Sequence, residues 1–590
     1  MMASALLLLT PLWPLVLAGG YLLMMAFGQR WAALNWLWIS APLPALALAL
    51  LMPADPALTS LHLPFLLLGS LWWLDEVRQV FLVTTALLWL MAGLYARGYF
   101  AAATHPARPD QPASDKMGFA ALWLLTLSGN LLLIIAEDIA SFYLGFALMT
   151  FAAYGLVIDS RKASALYAGR VYLAMALLGE AAMLAALIGL SQQAAAPQMG
   201  PAAASLMTSE PSIWILNCLL LGFGVKAGLP LLHLWLPLAH PVAPTPASAV
   251  LSGAMIKAGL LGWCLLLPLG QVSWPVWGQI FLVAGLISML GAVLPGLLQS
   301  HPKAVLAYSS ISQMGMMISV LGASLIEPAL WPLALPALLL FVAHHGLNKG
   351  ALFLAVGLAE KPPRWPLTLF LLLTLLPPLA LTGLLTSGLV TKWMLKQGLY
   401  AQEMSQLVMW LTLGAGGTSL LMLRYLFRLW ALMPAQPHRP PLSQQLAWLG
   451  LMLAALTLPW WFTAPGGAAL LWPDFKGWLE LAWVPLLALL LALLVIKLLP
   501  QGGPEWPPGD LLLPLSWLAR RIGQALAPWR STEFTLIQRL VDWIKQTAAQ
   551  RQDTNRLARL EERLRQNMAL LFLCGCALLA SLYFLLGAVS

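Results

Sequence analysis

Charge is scarce in this chain. Asp, Glu, Lys and Arg make up 9% of its 590 residues, where a soluble globular chain carries roughly 25%. Cysteine is scarcer: Cys218, Cys264, Cys574 and Cys576, all inside apolar runs. None belongs to a Cys-x-x-Cys pair, and their spacing suits neither zinc nor an iron–sulfur cluster. The chain also lacks a Gly-x-Gly-x-x-Gly followed by an acid, a P-loop and a Gly-x-Ser-x-Gly, so its motifs offer neither a nucleotide site nor a hydrolytic nucleophile. No cofactor or metal is expected in this chain, and any enzyme activity would be that of a complex containing it. The first apolar run has no basic segment before it and no convincing cleavage site, which marks it as a first span rather than a removable signal.

Apolar sequence is what the chain has in abundance. Hydrophobic residues are 61% of the total, and mean hydropathy is +0.82. A spanning helix needs about 20 apolar residues. By that rule the chain reads as an all-α polytopic membrane protein with about sixteen spans, near 4–26, 32–52, 77–100, 117–136, 138–158, 165–192, 212–236, 247–269, 276–298, 303–325, 330–358, 367–397, 404–423, 445–465, 477–499 and 567–588. The net charge of +9 would suit nucleic acid, but the basic residues sit between apolar runs, so a lipid membrane is the expected partner and nucleic acid is not.

Basic residues gather after odd-numbered spans: Arg97, Arg108 and Lys116; Arg161, Lys162 and Arg170; Lys303; Lys361 and Arg364; Arg424 and Arg428; and Lys497 at the end of span 15. The stretches 193–211 and 270–275, on the opposite side, contain none. Cytoplasmic loops carry the Lys and Arg, so the pattern predicts a multi-pass protein of the bacterial inner membrane with both termini periplasmic. Lys476 is the misfit. Residues 500–566 are polar and basic. Ile537, Leu540, Val541 and Ile544 follow helical spacing, Leu557, Leu560 and Leu564 extend the stripe, and Arg556, Arg559, Glu561, Glu562 and Arg565 fill the other face. This segment reads either as a helix on the membrane surface or as a strut along neighbouring helices.

Ionisable groups at mid-membrane depth are costly and usually functional. Glu180 lies in the middle of span 6, Lys226 in span 7, Lys257 in span 8, Lys349 in span 11 and Lys392 in span 12. Snorkelling accounts for lysines near helix ends, not for these. Two of the spans look broken. Pro230, Pro237, Pro241, Pro244 and Pro246 follow Lys226, and Pro377-Pro378, Gly383 and Gly388 precede Lys392. Proline frees backbone carbonyls that then need other partners, and interrupted helices in two halves point to an ion site. His233 and His240 follow Lys226 at seven-residue steps, and His345 lies one helical turn before Lys349, with His344 beside it. Histidine titrates near neutral pH. An ammonium in low dielectric loses affinity for its proton, and a nearby carboxylate restores it. A row Glu180–Lys226–Lys257–His345/Lys349–Lys392 would therefore let one protonation event bias the next.

The stretch Lys226-Ala-Gly-Leu-Pro-Leu-Leu-His233, continuing through His240 to Ser248 and Met-Ile-Lys257-Ala-Gly, resembles the signature of the antiporter-like family of respiratory complex I. That family includes membrane subunits of hydrogenase-4 and formate hydrogenlyase and the large subunits of multisubunit Na+/H+ antiporters. Lys303-Ala-Val-Leu-Ala-Tyr308-Ser309-Ser310, His345-Gly-Leu-Asn-Lys349 and Gly388-Leu-Val-Thr-Lys392 are similar to three further stretches of the family. The resemblance covers about 75–430. It implies two inverted five-helix repeats, each with a broken helix, and together with the buried charges it gives a candidate proton path through Glu180, Lys226, His233, His240, Lys257, Lys303, His344, His345, Lys349 and Lys392. It also implies an organisation of N-terminal helices over 1–110, repeats over 111–269 and 270–432, further spans over 433–499, a cytoplasmic amphipathic segment over 500–566 and a last helix over 567–590.

The chain departs from the family in places. Ala147 stands where the family has a Glu that pairs with the span-7 Lys, and Glu180 is the candidate substitute. Glu137 and Asp138 are another, read as solvated at the membrane boundary. His301-Pro302 precedes Lys303 where the family often has Asp, and the usual Pro-Pro is missing close to Gly388.

The function that follows is a proton-translocating subunit of a multisubunit complex, most like hydrogenase-4 or formate hydrogenlyase, with the redox centres in partner chains. The alternatives are a subunit of a multisubunit Na+/H+ antiporter and the proton-driven energising subunit of a bicarbonate-uptake complex. A scaffold without transport is disfavoured by the lysines. Other membrane subunits are expected partners, together with a peripheral chain that is redox-active, antiporter-related or zinc-containing according to the alternative. The expected ion is H+, with Na+ as the other choice.

Overall fold

A chain that crosses lipid must bond its backbone N–H and C=O groups internally, which makes the helix the natural form for these apolar runs. In the computed structural model the chain is described over residues 1–27, 37–67, 69–102, 114–208, 212–434 and 440–498, with Trp506. It divides into two units, Met1–Ala18 with Ala32–Pro508 and Gly19–Trp31 with Gly509–Ser590. Most of the second unit, and with it the expected amphipathic segment and last helix, lies outside the described residues.

Among the described residues, 13 helices are long and apolar enough to cross a membrane. Each coincides with an expected span. The expected second and seventh spans differ. Over 32–52 the structure has a short turn at Trp38–Ser40 and a nine-residue helix, Leu43–Leu51. The seventh ends early, at Ala227. An antiparallel hairpin, Ser60–Leu63 with Ser70–Trp73, had no counterpart in the reading of the sequence.

The helices that matter for the site run as follows. α1 is Glu76–Ala102, α2 Ser114–Ile135, α3 Ile139–Val157 and α4 Ala163–Ala194. α5 is Ile213–Ala227, α6 Trp235–Val242, α7 Thr245–Val250 and α8 Lys257–Leu266. α9 is Pro275–Gly291, α10 Pro302–Ile326 and α11 Trp331–Glu360. α12 is Leu367–Thr382, α13 Thr386–Ala401, α14 Ser405–Ala431, α15 Leu442–Trp461 and α16 Phe475–Leu498.

Small residues let these helices touch along their backbones, the usual means of association in lipid. A Cβ on Gly129 of α2 or Gly145 of α3 would run into the other helix's backbone, and Gly285 of α9 and Gly315 of α10 are related in the same way. The whole apolar window of α10 is buried. By contrast Leu486, Leu487, Leu490, Leu491, Leu493 and Leu494 of α16 are exposed, a face suited to lipid.

Three interruptions shape the interior. α5 stops at Gly228, whose φ of +82° is left-handed, and the chain turns before α6. Between α7 and α8, residues Leu251–Met255 form a π-helical turn. α12 stops at Gly383, with φ +91°, before α13 resumes. Pro377 and Pro378 lie within α12 rather than at this break. A backbone with positive φ favours glycine, and Gly383 supplies it at this break.

Candidate functional site

The lysines expected at mid-membrane are all buried, and so are Glu180, His233, His240, His344, His345 and Lys303. No ammonium among Lys226, Lys257, Lys303, Lys349 and Lys392 forms an ion pair within the described residues. Four of the five instead donate to backbone carbonyls, mostly where a helix has been interrupted.

Lys226 lies in the last turn of α5, where the exposed carbonyl ends of the helix favour a cation. Its Nζ stands 3.5 Å from the Tyr172 hydroxyl. Three rings surround it, with centroids 5.6 Å away for Phe146, 5.6 Å for Tyr172 and 5.9 Å for Trp235. The cage is itself fixed: Trp235 donates through Nε1 to the Val225 carbonyl at 2.8 Å, and Tyr172 donates to the Thr150 carbonyl at 2.8 Å. A cation over aromatic faces gains electrostatic stabilisation that grows when water is excluded. Glu180 on α4 is the carboxylate whose charge acts on Lys226. It is brought there by close packing: a Cβ on Gly179 would stand 3.0 Å from Val225 Cβ. After Lys226, the Thr150 hydroxyl is the polar side chain nearest in effect to the Glu180 carboxylate. Glu180 thus acts on Lys226 through its charge, without a direct ion pair among the described residues, and the aromatic cage fills the role of first neighbour.

Lys257 donates to the Gly253 carbonyl and, at 3.3 Å, to that of Ser252. Both belong to the π-helical turn, where the regular ladder is disturbed. A cavity of about 10 Å³ borders Lys257, Thr84, Thr85 and Asn130, the room one water needs. Lys349 donates to the Leu306 carbonyl at 2.9 Å and the Ser309 hydroxyl at 2.7 Å. Lys303 reaches the Ala243 carbonyl, between α6 and α7, at 3.0 Å. Lys392 reaches the Thr382 carbonyl, at the end of α12, at 2.6 Å.

The histidines divide. His345 lies among Lys257, Lys349 and His344, and its ring nitrogens have no hydrogen-bond partner in the structure. His344 connects onward: its Nδ1 lies 2.8 Å from the Ser387 hydroxyl of α13, and Lys392 and Lys257 are the charges that act on it. His240 stacks on Phe353 with centroids 4.7 Å apart and feels Lys303 and Lys349. His233 does not extend a helical face from Lys226, because the chain between them turns at Gly228. Its Nδ1 lies 3.2 Å from the Leu229 carbonyl. The expected row therefore falls into two groups: Glu180–Lys226, and Lys257–His345/Lys349 with His344–Lys392. No hydrogen bond or ion pair among the described residues joins Lys226 to Lys257.

Glu137 and Asp138 are not solvated, contrary to the boundary reading. They are 3% and 1% exposed. Glu137 accepts from Arg78 at 2.6 Å and from the Gly200 N–H at 2.8 Å, and Arg78 also pairs with Asp75. Burial raises the Glu137 carboxyl above its ordinary range, against the opposing pull of Arg78 and Gly200. Asp138 caps α3 through the Ser141 N–H and also accepts from the Leu71 N–H of the hairpin. At the start of α10, His301 takes the place of the family's acid and accepts the Lys303 N–H at its Nδ1.

Two residues were not anticipated. Lys396 pairs with Glu480 of α16 at 3.2 Å, and the Tyr400 hydroxyl stands 3.3 Å from the same carboxylate oxygen. The signals were present: Lys396 is one turn beyond Lys392, and Glu480 is an acid inside an apolar run.

Residues 136–417 match the family described as NADH:quinone oxidoreductase/Mrp antiporter, TM. The chain is similar to hydrogenase-4 component B of Escherichia coli, 29% identical over 296 residues that cover 48% of this chain and 42% of that one. It is also similar to Na(+)/H(+) antiporter subunit A1 of Staphylococcus epidermidis, 29% identical over 41% of this chain and 32% of that one. The matches thus span less than half the length of these relatives. A solved structure of the Mrp complex from Dietzia sp. DQ12-45-1b shares the fold, with a TM-score of 0.67 at 19% identity, covering 97% of this chain and 63% of that chain.

Proposed function

We propose, from the match of residues 136–417 to the family described as NADH:quinone oxidoreductase/Mrp antiporter, TM, that the chain is a member of it and the proton-translocating subunit of a multisubunit membrane complex of hydrogenase-4 type. The observation that carries the proposal is the set of five buried lysines, none of them in an ion pair among the described residues. A structural lysine in lipid is normally neutralised by a carboxylate. An ammonium held by carbonyls and aromatic rings can give up its proton without breaking an ion pair.

In this reading the repeats are 111–269 and 270–432, inverted relative to each other. The fourth helix of each would be the interrupted one. Lys226 precedes the break at Gly228 and Lys392 follows the break at Gly383, so the two lysines stand on opposite sequence sides of their breaks. Protonation of Glu180 would weaken its hold on the Lys226 charge. His345 and His344 would carry protons among Lys257, Lys349 and Lys392, with the Ser387 hydroxyl orienting His344. Lys303 and His240 would serve Lys349 from the other side. The redox centres would sit in partner chains, and both termini would be periplasmic.

A subunit of a Na+/H+ antiporter is the second reading, supported by the similarity to antiporter subunit A1 and to the Mrp complex fold. Gentle extraction from the native membrane, followed by mass spectrometry of what copurifies, separates the two. Iron–sulfur and hydrogenase-like chains are expected. Small antiporter subunits, or a single zinc protein, without redox chains would overturn the hydrogenase-4 assignment.

A further inference from the structure

Lys392 borders a cavity that α14 and α16 also line. The cavity is about 30 Å³, enough for a water or two. Lys392, Thr382, Lys396, Thr412 and Glu480 line it, with apolar side chains such as Leu395, Leu411 and Val484 making up most of the rest. Its far side is the Lys396–Glu480 pair, bonded at 3.2 Å. The Glu480 side chain is 38% exposed, while Lys396 is 9% exposed. Lys392 and Lys396 sit one turn apart on α13, so two like charges share this cavity. Glu480 is the carboxylate that lines the same cavity among the described residues.

Depth gives the arrangement a direction. Glu480 is the sixth residue of α16, about 8 Å along the helix from its start at 1.5 Å per residue. Lys396 and Tyr400 are near the end of α13. The connections at this end, 402–404 and 462–474, contain no Lys or Arg, and Lys476 follows them at the start of α16. Lys392 lies further in, at the helix break. The groups therefore step from the interior to one surface: buried ammonium, cavity, half-buried carboxylate, outside.

We propose that Glu480 is the proton-release group of this subunit, taking protons from Lys392 across the cavity and passing them to the surface, with Lys396 as its positioning residue. The inference rests on the reading of Lys392 as a proton-carrying residue. A proton leaves the Lys392 ammonium, crosses by cavity water and joins a Glu480 carboxylate oxygen, leaving a neutral amine. Protonated Glu480 loses its charge attraction to Lys396, so the carboxyl is freed toward the surface. It then releases the proton, becomes anionic again and re-forms the pair. The Tyr400 hydroxyl is the other polar group facing this carboxylate and holds its orientation. Charge and atoms balance at each step, and no other reactant is needed. The α16 helix thereby supplies a residue to a path whose other members lie on earlier helices.

The test uses the intact complex in proteoliposomes, with a potassium–valinomycin potential driving proton flux read by an internal pH dye. Assembly is checked by size-exclusion chromatography. Glu480→Gln is expected to lower flux by at least about tenfold, and Glu480→Asp to restore most of it, as for a positioned acid–base group. Lys226→Met is run beside them. If Lys226→Met abolishes flux and Glu480→Gln leaves it at the wild-type level, the release path is wrong and the proton-pump reading stands. If neither changes flux, both fall. Should Glu480→Gln fail to assemble because Lys396 is left unpaired, the Glu480→Gln/Lys396→Met double variant removes both charges. Low flux in that assembled variant supports the proposal, and wild-type flux overturns it.

Discussion

The Lys392 ammonium donates a 2.6 Å hydrogen bond to the Thr382 carbonyl, ten residues away across the break at Gly383. The bond ties the break to the charge. A helix that ends leaves its last carbonyls without partners, and a lysine on the next segment supplies the missing donor. The same logic places Lys257 on the carbonyls of the π-helical turn and Lys303 on the Ala243 carbonyl.

Gly383→Ala tests that tie. At φ +91° any side chain is strained, and a Cβ there would stand 2.6 Å from Lys392 Cδ. The substitution is expected to cost about 1–2 kcal/mol of stability and to reduce proton flux, because Lys392 must move. Thermal unfolding of the purified complex together with the flux assay checks both. Unchanged flux in a destabilised protein would show that the position of Lys392 is immaterial.

Arg78 and Glu137 form a buried pair that pins α1 to the α2–α3 turn. Arg78→Met leaves a buried carboxylate without its guanidinium and is expected to cost about 3 kcal/mol or more. The Arg78→Met/Glu137→Gln double variant is expected to lose less than the single one. A melting series across the two single variants and the double reads this coupling, and additive losses would contradict it.

How much of this was legible beforehand follows from what each signal depends on. The thirteen long helices were readable because length and hydropathy are local properties. The Lys226, Lys349 and Lys392 positions were readable because charge inside an apolar run stands out without a structure. The end of α5 at Ala227 was not, since the prolines are spread over 230–246 and only the left-handed Gly228 fixes the point of interruption. The cage of Phe146, Tyr172 and Trp235 was hidden for a different reason: its three rings come from three helices, and aromatic residues in apolar runs carry no distinguishing mark. Glu137 was misread because a carboxylate at a span boundary looks solvated until its partner Arg78, 59 residues earlier, is known.

His301 gives a pH prediction. Burial, and then the neighbouring Lys303 charge, lower its pKa from 6.5 to about 4. The neutral ring is the form that caps α10, so a histidine whose folded pKa is depressed stabilises the fold above pH 6.5. That contribution is lost as pH falls from 6.5 toward 4, by on the order of 2–3 kcal/mol for this partly exposed site. His301→Asn supplies a cap that does not titrate. Melting temperatures between pH 7 and pH 4 should fall more steeply for the wild type than for this variant, and parallel curves would remove His301 from the account.

The most direct measurement is proton flux through the assembled complex with Lys226→Met, in proteoliposomes under an imposed potential. Lys226 forms no ion pair among the described residues, and a methionine fits an aromatic cage, so the variant is expected to assemble, with the nearby Glu180 carboxyl taking up a proton. Flux reduced by about tenfold or more is the predicted result. Wild-type flux from a fully assembled Lys226→Met complex would contradict the claim that the buried lysines carry the proton.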